Sequence, residues 1–328
     1  MANRKIFIDG EVGTTGLQIR ERLAQLSDVA VVSIDSAKRK DPAARKALMA
    51  EADLIVLCLP DDAARQAVAL AGELGDTAPR ILDASTAHRV APGWVYGFAE
   101  LDKAQAEAVR SAPRVANPGC YPTGAIALIR PLVDAGLIPP DHPLTINAVS
   151  GYSGGGRTMI EAYETGTGPS FELYALRLDH KHIPELMRYA KLDRRPLFVP
   201  SVGNFRQGML VSVPLHLEML PGRPASSDLE KALKGHYRDR PTVRVIAEPL
   251  STMTKLKAEA PSAADTMELF VFGQDEHGHV VLVARLDNLG KGAAGAAVQN
   301  ITLMLGLDQT KVAQTDSGQA RVADRVMR

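Results

Sequence analysis

A short apolar segment at residues 5–8 runs directly into Asp9-Gly10-Glu11-Val12-Gly13-Thr14-Thr15-Gly16, after which Ile19, Leu23 and Leu26 recur at helical spacing over residues 17–26. No other stretch constrains the fold as strongly as this strand, glycine turn and helix in succession. Glycine supplies the tight turn, and the turn aims the amide groups and positive dipole end of a helix at one point. Backbone N–H groups so arranged hold a pyrophosphate. The spacing Gly10-x-x-Gly13-x-x-Gly16 differs from the commoner G-x-G-x-x-G, and glycines near a turn can be turn chemistry alone. The strand before and the helix after favour nucleotide binding.

The alternation continues. Residues 29–34 read as a second strand ending at Asp35, residues 54–59 as a third, residues 61–74 as an Ala-rich helix, and residues 80–83 as the start of a fourth strand. Continuous apolar strands separated by helices call for a parallel sheet covered on both faces. We therefore expect a Rossmann-like, doubly wound α/β domain. Past residue 120 the pattern changes. Residues 144–149 form a strand leading into Ser150-Gly151-Tyr152-Ser153-Gly154-Gly155-Gly156-Arg157, and Met209, Val211, Val213, Leu215 and Leu217 alternate with period two. Residues 269–272 and 279–286 flank a hairpin at Gly273-Gln274-Asp275-Glu276-His277-Gly278. These signals predict a second, α+β domain with a mixed or antiparallel sheet. A helix over residues 293–305 should pack back on the first domain. The expected division is 1–119 with about 290–328 as the nucleotide domain, and 120–289 for catalysis, substrate binding and oligomerisation. Residues 309–328, polar with a few aliphatics, read as a tail or packing arm.

Lys+Arg and Asp+Glu both number 38, so net charge points to neither nucleic acid nor an anionic membrane. A small molecule is the expected partner. The two cysteines, Cys58 and Cys120, are too few for a disulfide framework. The amino-terminal apolar run is too short for a signal-peptide core, and no apolar stretch approaches the roughly 18 residues that span a bilayer. A reducing cytoplasm is the default.

Cys58 lies within the apolar run at 54–59 and reads as core. Cys120 differs: Ala116-Asn117-Pro118-Gly119-Cys120-Tyr121-Pro122-Thr123-Gly124-Ala125 opens into Ile126-Ala127-Leu128-Ile129, which places the thiol in the first turn of a helix. A helix start favours thiolate over thiol, although a lone cysteine is as readily a small buried hydrophobe. A second cluster is Asp179-His180-Lys181-His182-Ile183-Pro184-Glu185. No further ligand stands at a convincing metal spacing, so no metal is expected. Asp179, His182 and Glu185 could be capping and surface groups, or one histidine could serve Cys120 as acid and base. Arg157, Arg206 and Lys291 are candidate ligands for substrate anions, or structural cations. After the second strand, Asp35 would suit a ribose hydroxyl, whereas Ser36, Lys38 and Arg39 suit a 2′-phosphate. The balance favours NADP.

In order along the chain, the glycine turn, Asn117-Pro118-Gly119-Cys120-Tyr121-Pro122-Thr123, Ser150 to Arg157, His180-Lys181-His182-Ile183-Pro184-Glu185 and Asp287-Asn288-Leu289-Gly290-Lys291-Gly292-Ala293-Ala294-Gly295 resemble the N-acetyl-γ-glutamyl-phosphate reductase family, in its shorter type. The resemblance spans the first strand to the last helix. It implies NADPH-dependent reductive dephosphorylation of an acyl phosphate in arginine biosynthesis through a cysteine thioester. It makes Cys120 the nucleophile and His180 the acid and base, with His182 as the alternative. It sets Gly10, Gly13, Thr14, Thr15, Gly16, Ser85, Asn288 and Gly292 at the cofactor, and Asn117, Ser150, Gly151 and His182 at the substrate, beside Arg157 and Arg206. The same apparatus would serve aspartyl or N-acetyl-aminoadipyl phosphate. A non-catalytic nucleotide sensor is the rival from another class.

Overall fold

The computed structural model describes residues 3–247, 253–259 and 265–308; the tail expected at 309–328 lies outside these. In chain order the first elements are β1 (Arg4–Asp9), α1 (Thr14–Leu23), β2 (Val29–Val32), α2 (Pro42–Glu51), β3 (Leu54–Leu57), α3 (Asp61–Gly72), β4 (Arg80–Asp83), β5 (Val95–Tyr96), α4 (Gln105–Ser111) and β6 (Arg114–Ala116). There follow α5 (Cys120–Asp134), β7 (Thr145–Gly151), α6 (Arg157–Glu164), β8 (Phe171–Leu173), α7 (Ile183–Tyr189), β9 (Leu197–Gly203), β10 (Met209–His216), α8 (Ser226–Tyr237), β11 (Val243–Val245), β12 (Met267–Gln274), β13 (His279–Leu286) and α9 (Gly295–Leu305). They divide into two compact units. The first takes the described residues of Met1–Ala99, Lys103–Pro118 and Ala293–Arg328, the second those of Glu100–Asp102 and Gly119–Gly292.

In the first unit six strands pair in the order β2-β1-β3-β4-β6-β5, and every pairing is parallel. Alternate side chains leave the sheet on opposite sides. Ile6, Ile8, Leu54, Val56 and Leu82 pack with Ile19 and Leu23 of α1 and with Ala297 and Ile301 of α9. Phe7, Ile55, Leu57 and Ile81 pack on the other side with Met49 of α2 and Ala64 and Ala67 of α3. Burying both faces explains why these strands are apolar throughout. Asp41 starts α2 by accepting from the Ala43 amide at 2.9 Å, with Pro42 at the first helical position. Strand ends differ from the sequence reading: β3 stops at Leu57, so Cys58 follows the strand, its amide donating to Asp9 O at 2.8 Å.

In the second unit seven strands pair in the order β11-β12-β13-β10-β7-β9-β8. Pairings of β12, β13, β10 and β7 are antiparallel, whereas β7 with β9 and β11 with β12 are parallel. The period-two residues Met209, Val211, Val213 and Leu215 are all buried. Helix α5 lies over that face, so close that a Cβ on Gly124 would stand 2.9 Å from Val211 Cγ2. The opposite face carries Val149, Val199, Leu210, Phe272 and Val283 in an apolar depression bordered by β8, whose Phe171 is 56% exposed. The helix expected from residue 293 begins as a wide π-turn at Gly290–Ala294 and continues as α9.

Candidate active site

In the first unit the glycine turn joins β1 to α1. Gly10 adopts φ +91°, and a Cβ there would lie 2.3 Å from Cys58 O. A Cβ on Gly16 would lie 2.5 Å from Gly10 O. The first and third glycines are thus demanded by packing between strand, turn and helix. Gly13 is the N-cap of α1 and brings no side chain to the helix end; Thr14 and Thr15 follow in the first turn. Backbone donors and hydroxyls at a ten-residue helix start fit a pyrophosphate. Glu11, whose charge is at odds with such a ligand, is buried and turned aside: its carboxylate accepts from Ser33 Oγ at 2.8 Å and from Arg20 at 3.4 Å.

After β2, Asp35 accepts from the Ala37 amide at 2.9 Å and caps the short turn Ser36–Lys38. Ser36, Lys38 and Arg39 are exposed there. Ser85 faces inward instead: its hydroxyl donates to Asp83 at 2.7 Å and accepts from the Ala87 amide at 3.1 Å. The same Asp83 oxygen holds His88 Nδ1 at 2.6 Å, and His88 stacks on Trp94. Asn117 is buried; its side chain donates to Ala293 O at 3.1 Å and accepts from Asn300 Nδ2 at 3.0 Å.

In the second unit Cys120 is the first residue of α5 and Gly119 its N-cap. The histidine run lies between β8 and α7. His180 is enclosed by aromatic rings: His182 at 4.6 Å between centroids, Phe198 at 5.1 Å, Tyr174 at 5.6 Å and Tyr121 at 6.2 Å. The His182 amide donates to His180 Nδ1 at 3.1 Å. In the neutral ring that bond puts the proton on Nε2, so His180 offers a donor there. The Tyr121 hydroxyl donates to Ser201 O at 2.9 Å. Burial, then Tyr174 and Cys120 beside it, pushes the Tyr121 phenol well above its ordinary range. Burial chiefly, with Cys120 adding, does the same to Tyr174. Both remain protonated phenols next to the thiol.

Cys58 has a different setting. It packs against the core beside α1, and burial, with Asp83 and Asp9 nearby, pushes its thiol up to about 12. Among the described residues no cluster of His, Cys, Asp or Glu could hold a metal ion.

The remaining candidates scatter. Asn288 is structural in its contacts, accepting from the Gly208 amide at 2.8 Å and donating to Ser153 Oγ at 2.9 Å. Gly292 abuts Cys120: a Cβ on it would stand 3.0 Å from Cys120 Cβ. Gly151 runs against Arg206 O, which a Cβ would approach to 2.6 Å, and the Ser150 hydroxyl donates to Gly151 O at 3.0 Å. Arg157 opens α6 and is exposed. Arg206 is also exposed but pairs with Glu164. Lys291 is no surface cation: its side chain is 2% exposed and its ammonium bonds buried Glu100 at 2.8 Å. Sequence reasoning passed over Tyr174, Phe198 and Glu100, which carry no motif. It left Glu185 among capping and surface groups, but its side chain is 1% exposed, stands 3.9 Å from His182 Nε2, and accepts from the Gly119 amide at 3.1 Å.

The fold and the family comparison define the class. The family model for the semialdehyde dehydrogenase dimerisation domain matches residues 120–288. Aspartate semialdehyde dehydrogenase II from Vibrio cholerae, complexed with ASA, is similar in structure with a TM-score of 0.70 at 13% identity, covering 93% of this chain and 99% of its own. The Candida albicans aspartate semialdehyde dehydrogenase with NADP follows at 0.66 and 12%, covering 92% and 98%. The protein is thus an oxidoreductase of the semialdehyde dehydrogenase class. Curated N-acetyl-γ-glutamyl-phosphate reductases of Brucella ovis and Brucella melitensis are each 54% identical over 308 residues, 92% of this chain and 99% of theirs. The chain belongs to the N-acetyl-γ-glutamyl-phosphate reductase family.

Proposed function

We propose that this protein catalyses the NADPH-dependent reductive dephosphorylation of N-acetyl-γ-glutamyl phosphate, giving N-acetyl-glutamate semialdehyde and phosphate, a cytoplasmic step of arginine biosynthesis. The observation that carries the reading is Cys120 at the first position of α5, followed by Tyr121 whose ring meets those of His180 and His182, in a chain 54% identical to reductases of that name.

The Cys120 thiolate attacks the acyl carbonyl, the C–O bond to phosphate breaks, and the acyl group rests on sulfur as a thioester. The first-turn amides of α5 available to a developing oxyanion are those of Cys120 and Tyr121, because Pro122 has none. His180, with its proton on Nε2, is the side-chain donor; each such donor is worth about 3–4 kcal/mol. Bound NADPH supplies the hydride that takes the thioester to the aldehyde level. His180 steadies the thiohemiacetal oxygen, and collapse of the adduct expels the aldehyde and restores the Cys120 thiolate.

The residues that would hold the cofactor are Gly13, Thr14 and Thr15 for the pyrophosphate, with Ser36, Lys38 and Arg39 for a 2′-phosphate. The exposed position of these last three, and the commitment of Asp35 to the Ala37 amide, support NADP over NAD. Arg157 is the candidate for a substrate anion. A second copy of the chain covers the apolar outer face of the mixed sheet, where Phe171 and Leu173 are exposed.

Cys120→Ala should abolish phosphate-dependent reduction of NADP⁺ with N-acetyl-glutamate semialdehyde while leaving NADP affinity, measured calorimetrically, unchanged. Turnover retained in that variant refutes the mechanism. Equal or faster turnover of aspartyl phosphate by the wild type refutes the substrate.

A further inference from the structure

The carboxylate of Glu185 stands where the mechanism has no use for it. Gly119 is the N-cap of α5, whose third residue is Pro122. In a capping box the third helical side chain, Glu or Gln, reaches back to the N-cap amide. Proline cannot do this, and Glu185 from the first turn of α7 takes the place: its Oε2 accepts from the Gly119 amide at 3.1 Å across 66 positions of sequence. Its other oxygen lies 3.9 Å from His182 Nε2. A carboxylate here sits at the positive end of α5, where the dipole would otherwise favour the Cys120 thiolate alone. Two anions at one helix start oppose each other. The Tyr121 and Tyr174 phenols stand near the thiol, and the rings of His180 and His182 pack against Tyr121, so the histidine pair is at hand to offset these charges.

We propose that Glu185 is a positioning residue for the nucleophile. It clamps the Gly119 amide that starts α5, and it holds the Cys120 thiol less acidic than the helix end alone would make it, leaving activation to the histidine pair. The inference rests on Cys120 being the nucleophile.

The test is the pH dependence of iodoacetamide alkylation, read peptide by peptide in the intact protein. Cys58, pushed up to about 12, stays silent through the neutral range, so Cys120 alone reports. Glu185→Gln keeps an acceptor for the Gly119 amide and removes the charge. Its alkylation midpoint should fall by about one pH unit with the thermal midpoint unchanged. Glu185→Ala should also lose at least about tenfold in kcat with little change in KM, because α5 loses its clamp. If Glu185→Ala does not fold, Glu185→Gln decides the question, being matched in volume. A midpoint in Glu185→Gln equal to or above that of wild type overturns the proposal, since a purely structural carboxylate would leave it unmoved. Cys120→Ala run alongside separates the failures: activity in that variant defeats the nucleophile assignment, whereas an inactive Cys120→Ala with an unmoved Glu185→Gln midpoint defeats Glu185 alone.

Discussion

The two histidines of the Asp179–Glu185 run are told apart by what each ring nitrogen meets. His180 has Nδ1 tied to the His182 amide and aromatic rings around it. His182 is buried, with Nε2 toward Glu185. His180→Asn should therefore lower kcat by about 10²- to 10⁴-fold with NADPH affinity intact, and His182→Asn should cost less. Steady-state rates with calorimetric cofactor binding check both, and equal losses would remove the distinction. Lys291 makes a stability prediction. With Lys291 and Glu100 both buried, Lys291→Met takes the ammonium away from a buried carboxylate and should destabilise by about 3–5 kcal/mol. Joining Glu100→Met to it should restore most of the loss in a denaturant titration.

Among elements, the glycine turn separates packing from binding. Gly10→Ala forces a Cβ to within 2.3 Å of Cys58 O in a left-handed backbone, whereas at Gly13 the nearest atom would be Gly10 O at an ordinary 3.4 Å. Gly10→Ala should lower the melting temperature and abolish NADP binding together. Gly13→Ala should keep the fold, and any weakening of NADP binding it causes can be read without loss of stability. Much of this level was legible beforehand. Apolar runs bounded by turns located β1, β4, β10 and β13, and the strand-turn-helix order located the nucleotide fold, because both patterns are local. Element ends were less so: β3 stops at Leu57 and α9 is preceded by a π-turn, since hydrogen bonding to Asp9 and Asp287 decides those residues. The candidate site was legible where one motif supplies a whole contact, as at Cys120 and the histidine pair. It was not legible where a partner comes from afar. Nothing near Glu185 announces that it reaches Gly119, and no spacing joins Tyr174 or Phe198 to His180.

For the whole molecule, the mixed sheet has one face under α5 and the other open. Leu210, Phe272 and Val283 lie on the open side with Val281, which is 39% exposed. Val281→Asp should leave the second unit folded, because that residue already meets water, yet shift the protein toward monomer in sedimentation. An unchanged assembly state would mean that another surface joins the copies. The first unit has a different property at this scale. Its core contains Ala294, Ala297, Val298 and Ile301, and Asn300 from the same helix bonds Gly97 O at 2.9 Å. A ribosome makes residues 119–292 between β6 and α9, at about 5–20 residues per second. For on the order of ten seconds or more, the six-stranded sheet lacks α9 on the side that α9 shares with α1. A chain cut after Gly292 would keep every strand of that sheet and still leave Ile6, Ile8 and Val56 without the cover that Ala297 and Ile301 of α9 give them. The unit that emerges first is therefore the one completed last.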